Sequence, residues 1–221
     1  MGTDVVYYKK SVGGTRMSSY TYEASDRKAS LETYEWDNVW WEHADTAGVP
    51  RVLYIGDSIS CGTRRVATDL AEHTVFFDGF GTSKAVDNPY FADSVRLFAR
   101  QQGTRGAVLF NNGLHGWHLE DETEYASYYE KLLLFLREEF AGTPILLLLT
   151  THVADGERDR RVRTRNRVVC ALAEKYGLKT VDLYAVVREN AHLLSADGVH
   201  LVPEGYRLLA GALLEAVKPL L

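Results

Sequence analysis

Arg51-Val52-Leu53-Tyr54-Ile55-Gly56-Asp57-Ser58-Ile59-Ser60 is the stretch on which the fold turns. The apolar run Val52–Ile55 continues without a polar break, the pattern of a fully buried strand. Gly56-Asp57-Ser58 ends it abruptly. Beyond it Val66, Leu70 and Ala71 recur at helical spacing, so a helix is expected over about 62–72. A serine at such a strand-to-helix turn holds its hydroxyl at the rim of a sheet, near the positive end of a helix dipole. Serine is also a common helix cap, and Gly-Asp-Ser arises by chance in ordinary sequences. By itself Ser58 is only a candidate nucleophile.

The far end of the chain supplies what a serine needs. A hydroxyl attacks only when a base takes its proton, and the base needs an acid to fix its tautomer. Ser195-Ala196-Asp197-Gly198-Val199-His200-Leu201 places Asp197 and His200 three residues apart, so one short loop can present both. Together, Gly-Asp-Ser after the first core strand and Asp-Gly-Val-His before the last helix resemble the SGNH (GDSL-type) hydrolase superfamily over about residues 50–221. The resemblance implies a catalytic triad of Ser58, Asp197 and His200, with Asp57 holding the turn by hydrogen bonding.

Between these ends strand and helix signals alternate. Thr74–Phe77 reads as a second strand, and Asp78-Gly79-Phe80-Gly81-Thr82-Ser83 as the glycine-rich turn after it. Phe91, Val95 and Phe98 mark a helix over about 88–101, and Gly106–Phe110 a third strand. Tyr125, Tyr128, Leu132, Leu133, Leu136 and Phe140 line one face of a helix over 121–140. Pro144–Leu149 is a fourth strand, followed by a helix over 157–176 that is arginine-dense at its start and apolar later at Val168, Val169 and Leu172. Lys179–Leu183 is a fifth strand, and Pro203 opens a last helix over 203–218. This rhythm predicts a three-layer α/β/α sandwich with a central, mostly parallel five-stranded sheet. The flavodoxin-like SGNH hydrolase fold is the form the resemblance implies.

In an open parallel sheet the ligand crevice lies outside the carboxyl ends of the strands. Ser58, Gly81, Asn111 and Asn112, and Thr151 and His152 follow successive strands, and the Asp197–His200 loop follows the fifth. Acyl transfer needs donors aimed at an oxyanion, each typically worth ~3 kcal/mol of barrier. The N–H of Ser58 is one natural donor, a glycine free to approach closely at Gly81 a second, and an asparagine amide after strand three a third. The resemblance implies these three, with Gly81 at the family's second conserved block. In place of the family's common Gly-x-Asn-Asp this chain reads Phe110-Asn111-Asn112-Gly113-Leu114-His115. That form resembles a subgroup with Asn-x-Gly-Leu-His. Asn111 is the favoured donor and Asn112 the second choice, while a turn-forming Asn-Asn-Gly without chemistry is the bland alternative. His115, Trp117, Thr151 and His152 are candidate substrate-binding residues; Trp117 either stacks on a sugar or acyl group or simply packs.

Composition excludes several classes. With 221 residues the chain suits one substantial α/β domain. The net charge of −5 argues against nucleic acid or an anionic membrane as partner. No apolar run approaches the roughly 18 residues of a membrane span, and Met1–Lys10 lacks a signal-peptide apolar core, so a cytoplasmic location is expected. Cys61 and Cys170 form no disulfide framework; Cys61, three residues after Ser58, has no matched base and reads as a small packing residue. The spacing of His115, His118 and His152 matches no zinc pattern, and neither metal nor cofactor is expected. His43, His73 and His192 read as ordinary surface or core histidines.

Residues 1–50 differ in texture from 51–221, being rich in Ser, Thr, Gly and Tyr and holding Trp36, Trp40 and Trp41. They read as an extension that packs on the core, lends aromatics to a cleft, or joins copies of the chain as a homo-oligomer. The α/β-hydrolase elbow Gly-x-Ser-x-Gly is excluded by Ser60, and a dinucleotide fold by the missing Gly-x-Gly-x-x-Gly. The expected activity is a serine esterase acting on a short-acyl, chiefly acetyl, ester of a small molecule or oligosaccharide. A lipid-type esterase or lysophospholipase, an acyltransferase on the same scaffold, and a non-catalytic carbohydrate-binding protein remain as alternatives.

Overall fold

The structure is a computed structural model that describes residue 31 and residues 34–221. Six strands form one sheet in the order β1-β3-β2-β4-β5-β6. They are β1 Asp37–Trp40, β2 Arg51–Gly56, β3 Phe76–Thr82, β4 Ala107–Phe110, β5 Ile145–Leu148 and β6 Lys179–Val181. Strands β3, β2, β4, β5 and β6 run parallel, and β1 lies antiparallel on the β3 edge. The helices are α1 Ser58–Leu70, α2 Phe91–Gln102, α3 Glu122–Glu139, α4 Gly156–Tyr176, α5 Leu183–Glu189 and α6 Pro203–Val217.

Two apolar layers explain why the central strands read as continuous hydrophobic runs. Successive side chains of a strand point to opposite faces. Val52 and Tyr54 accordingly join one cluster with α1 and α6, whereas Leu53 and Ile55 join the other with α2 and α3. Each of these four residues is buried. On α3 the inward face is Tyr125, Tyr129, Leu132, Leu133 and Leu136; Tyr129 takes the place expected for Tyr128.

Among the described residues the sheet has six strands where five were expected, because the segment before Pro50 contributes β1. Of the expected turn over Asp78–Ser83, residues 78–82 instead belong to β3, whose seven residues are all buried. Its glycines prevented that reading. Here they admit neighbours: a Cβ on Gly81 would collide with the Cys61 sulfur, and one on Gly79 with the Arg64 side chain. Helix α1 starts four residues earlier than its apolar spacing suggested. The Asp57 carboxylate accepts the Ile59 N–H at 2.9 Å and so caps the helix, leaving Ser58 as its first residue.

The aromatic extension is tied to this frame. Trp41 stacks on Phe98 with centroids 4.2 Å apart, and Trp40 lies beneath the Arg65 guanidinium at 4.7 Å. The fully buried Asp78 carboxylate receives the Glu42 N–H, Arg51 and Gln102 at 2.8–2.9 Å, joining the chain before β2 to β3 and α2. The expected contributions of residues 1–30 lie outside the described residues. Among the described residues no helix is long and apolar enough to cross a membrane.

Candidate active site

Ser58 stands where β2 gives way to α1. Because it is the first helical residue, its N–H is one of the four at a helix start with no intrahelical acceptor. The loop after α5 approaches from the other side. Gly198 turns this loop with a φ of +72°, and its N–H-to-carbonyl bonding to Ser195 and its carbonyl's acceptance of Ala154 N–H anchor it to the end of β5. A Cβ at Gly198 would press on Ala154, so glycine is required there for space as well as conformation.

This brings together residues 142 positions apart. His200 Nε2 lies 2.8 Å from Ser58 Oγ, and His200 Nδ1 lies 2.7 Å from Asp197 Oδ2. A carboxylate can only accept, so Nδ1 carries the proton and Nε2 presents its lone pair to the serine hydroxyl. Asp197 is itself fixed. Its other oxygen accepts the Ser195 hydroxyl at 2.8 Å and the N–H groups of Val199 and His200 at 2.9 Å. Burial pushes its pKa up, but these bonds, led by the Val199 N–H and the His200 ring, outweigh it and hold the carboxyl well below its ordinary range. Asp197 therefore stays ionised at any pH near neutrality.

Cys61, one helical turn from Ser58, behaves differently. Burial pushes its thiol up, only partly countered by Arg64, and its sulfur is packed against Gly81. A thiol kept protonated is a poor nucleophile.

The two asparagines are both buried, with different partners. Asn111 Nδ2 donates to Leu148 O at 2.8 Å and to Thr150 Oγ1 at 3.1 Å, so its two N–H groups tie β4 to β5. Asn112 Nδ2 donates once, to Lys84 O at 2.7 Å, which leaves one N–H of that amide. Gly81 lies inside β3, opposite Asn38 of β1 and Gly56 of β2. It therefore stands in a strand and not at the turn expected for it.

The other expected site residues divide. Trp117 is buried in the core under the guanidinium groups of Arg165, Arg161 and Arg158 at 4.9, 5.6 and 5.8 Å, and packs there instead of lying open for a ligand. His115 and Thr151 are buried too, His115 against the edge of Trp36 at 6.2 Å. His152 is partly exposed and pairs with Asp159 at 2.6 Å, while His118 pairs with Asp87 at 2.6 Å. The three histidines thus have separate partners. Among the described residues no group of three or more His, Cys, Asp or Glu side chains is placed to hold a metal ion.

Arg165 was not foreseen. Its signal was its register: Val162, Arg165, Asn166, Val169 and Leu172 share the inward stripe of α4, and two of them are polar. Asn166 clamps the Thr150 backbone, donating to its carbonyl at 2.9 Å and accepting its N–H at 2.8 Å. Trp36, from the segment before β1, reaches the same rim, within 3.5 Å of where a Gly81 Cβ would lie.

Solved structures with the fold of GDSL-type (SGNH) hydrolases resemble this chain. No family model matches the sequence, and no curated protein matches it. A member of the lipolytic protein G-D-S-L family from Veillonella parvula superposes with a TM-score of 0.61 at 22% identity, covering 78% of this chain and 100% of that one. An acetylxylan esterase from Geobacillus stearothermophilus gives 0.60 at 19%, covering 76% and 94%. A second acetyl xylan esterase gives 0.59 at 19%, covering 76% and 99%. These likenesses establish the fold.

Proposed function

We propose that the protein is a serine carboxylic ester hydrolase that removes short acyl groups, chiefly acetyl, from carbohydrate esters. The observation that carries this reading is the unbroken series Asp197–His200–Ser58, with both spacings inside hydrogen-bond range. Ser58 Oγ attacks the ester carbonyl carbon as its proton passes to His200 Nε2, and Asp197 stabilises the imidazolium. The tetrahedral oxyanion is met by the Ser58 N–H at the positive end of α1 and by the remaining amide N–H of Asn112. His200 returns the proton to the departing alkoxide as the C–O bond breaks. A water then gives its proton to His200 and attacks the acyl carbon, and the imidazolium reprotonates Ser58 Oγ as the carboxylic acid leaves.

The preference for acetylated sugars is supported by the two acetyl xylan esterases among proteins of this fold. It is tested by hydrolysis of a short-acyl chromogenic ester beside a panel of acetylated sugars and a lysophospholipid. Ser58→Ala is expected to lose several orders of magnitude in kcat without loss of fold, and a fluorophosphonate to label Ser58. Labelling of Cys61 instead, or full activity in the alanine variant, would overturn the assignment; turnover of the lipid alone would move the substrate class.

A further inference from the structure

The loop between β4 and α3 carries Asn112, and a buried arginine gathers it, beside Arg161, which donates to the Trp117 carbonyl at 2.6 Å. Arg165 Nη1 donates to the carbonyls of Gly113 at 3.0 Å and His115 at 2.7 Å, and Nη2 to those of Gly116 at 2.6 Å and Leu119 at 3.3 Å. The guanidinium carbon lies over the Tyr125 ring at 4.5 Å and over the Trp117 ring at 4.9 Å, and the residue is 2% exposed. No carboxylate lies within ion-pair distance of it among the described residues. Burying a cation without a counter-ion is costly unless every donor is used. Consistent with that cost, burial pulls its pKa down to about 10. Leucine at this register would leave these four carbonyls without their donor, so the arginine is explained by the loop it holds.

We propose that Arg165 is a positioning residue, which holds the Asn111–Glu120 loop and thereby sets the Asn112 amide against Ser58. The inference rests on the esterase reading for its consequence, though not for its geometry. A trans peptide unit points its C=O and N–H in opposite directions. With the carbonyls of Gly113, His115 and Gly116 drawn to Arg165, the N–H groups of Leu114, Gly116 and Trp117 are turned away from it. The planar fork specifies this orientation at four points at once, which a flexible ammonium cannot do. Asn112 is held at the same time by its own amide on Lys84 O and by Tyr125 OH donating to Asn112 O at 2.6 Å. Tyr125 is also one of the two rings that Arg165 lies over.

The test uses the full chain with R165K and R165Q, at a temperature where circular dichroism shows each folded. Rates are taken per Ser58 titrated by fluorophosphonate. In R165Q, kcat is expected to fall ~10²-fold with KM within about twofold, the signature of a lost transition-state donor. R165K should fall less, roughly tenfold, because it keeps a cation with fewer donors. Independently of activity, amide hydrogen exchange over residues 113–120 should quicken in both variants while β2 and β5 are unchanged. An unchanged kcat, or unchanged exchange in the loop, would overturn the proposal. So would failure of both variants to fold, which would make Arg165 a requirement of the fold itself. If instead Ser58→Ala keeps its activity, the esterase reading falls, and the exchange measurement still decides what Arg165 holds.

Discussion

Asn111 and Asn112 are adjacent in the chain and differ in the partners of their side-chain amides. Sequence order favoured Asn111 as the oxyanion donor. The structure spends both of its N–H groups on β5, at Leu148 O and Thr150 Oγ1, while Asn112 keeps one. Adjacent residues leaving a strand point to opposite faces, so a shift of one position exchanges a strand clamp for a candidate donor. Asn112→Ala is therefore expected to lower kcat by ~10²–10³ with little change in KM. Asn111→Ala should instead lower stability by about 1–3 kcal/mol, because the Leu148 carbonyl and the Thr150 hydroxyl lose a buried donor. Steady-state kinetics and urea melts on the two variants separate the roles, and a reversed pattern would restore Asn111 as the donor.

Helix α1 and strand β3 fit together through a missing side chain. Glycine at 81 lets Cys61 approach the sheet from the first turn of α1, next to Ser58. The position of Ser58 therefore depends on how closely this helix sits on β3. Gly81→Ala should cost about 1–3 kcal/mol through overpacking. Cys61→Ala in the same chain should return most of that loss, because the sulfur is the atom in the way. A double-mutant cycle by urea unfolding measures the coupling. If the double variant is as unstable as the sum of the single ones, the close approach does not explain the glycine. The strand itself was legible only as far as Phe77. Glycines at 79 and 81 carry the sequence signal of a turn, and it takes a helix packed against them to make strand the better state.

For the molecule as a whole, the boundary expected at residue 50 cuts through the sheet, since β1 covers the edge of β3 and the Arg51 guanidinium binds the carbonyls of Glu42, His43 and Thr46. Removing residues 1–30 spares all of this. That truncation is expected to stay folded and to change either the oligomeric mass or the preference among sugar esters. Light scattering and the substrate panel check it, and unaltered mass, stability and profile would reduce the segment to a passive extension. Truncation to residue 50 should unfold the protein, because it uncovers an edge of the sheet and leaves the buried Asp78 without the Glu42 N–H.

The α/β alternation, the parallel sheet and the triad candidates were readable from sequence because they are carried by local signals. A buried strand is a run of apolar residues, a helix is a period, and a catalytic loop is a short spacing of reactive side chains. Asp57, Ser58, Asp197 and His200 belong to that class. Tertiary structure alone decided the sixth strand, the burial of Trp117, the different partners of Asn111 and Asn112, and the hold of Arg165 on four carbonyls. Each depends on which partner lies opposite, often tens of residues away, and a hydrogen-bonding side chain carries no mark of its acceptor until the chain has folded around it.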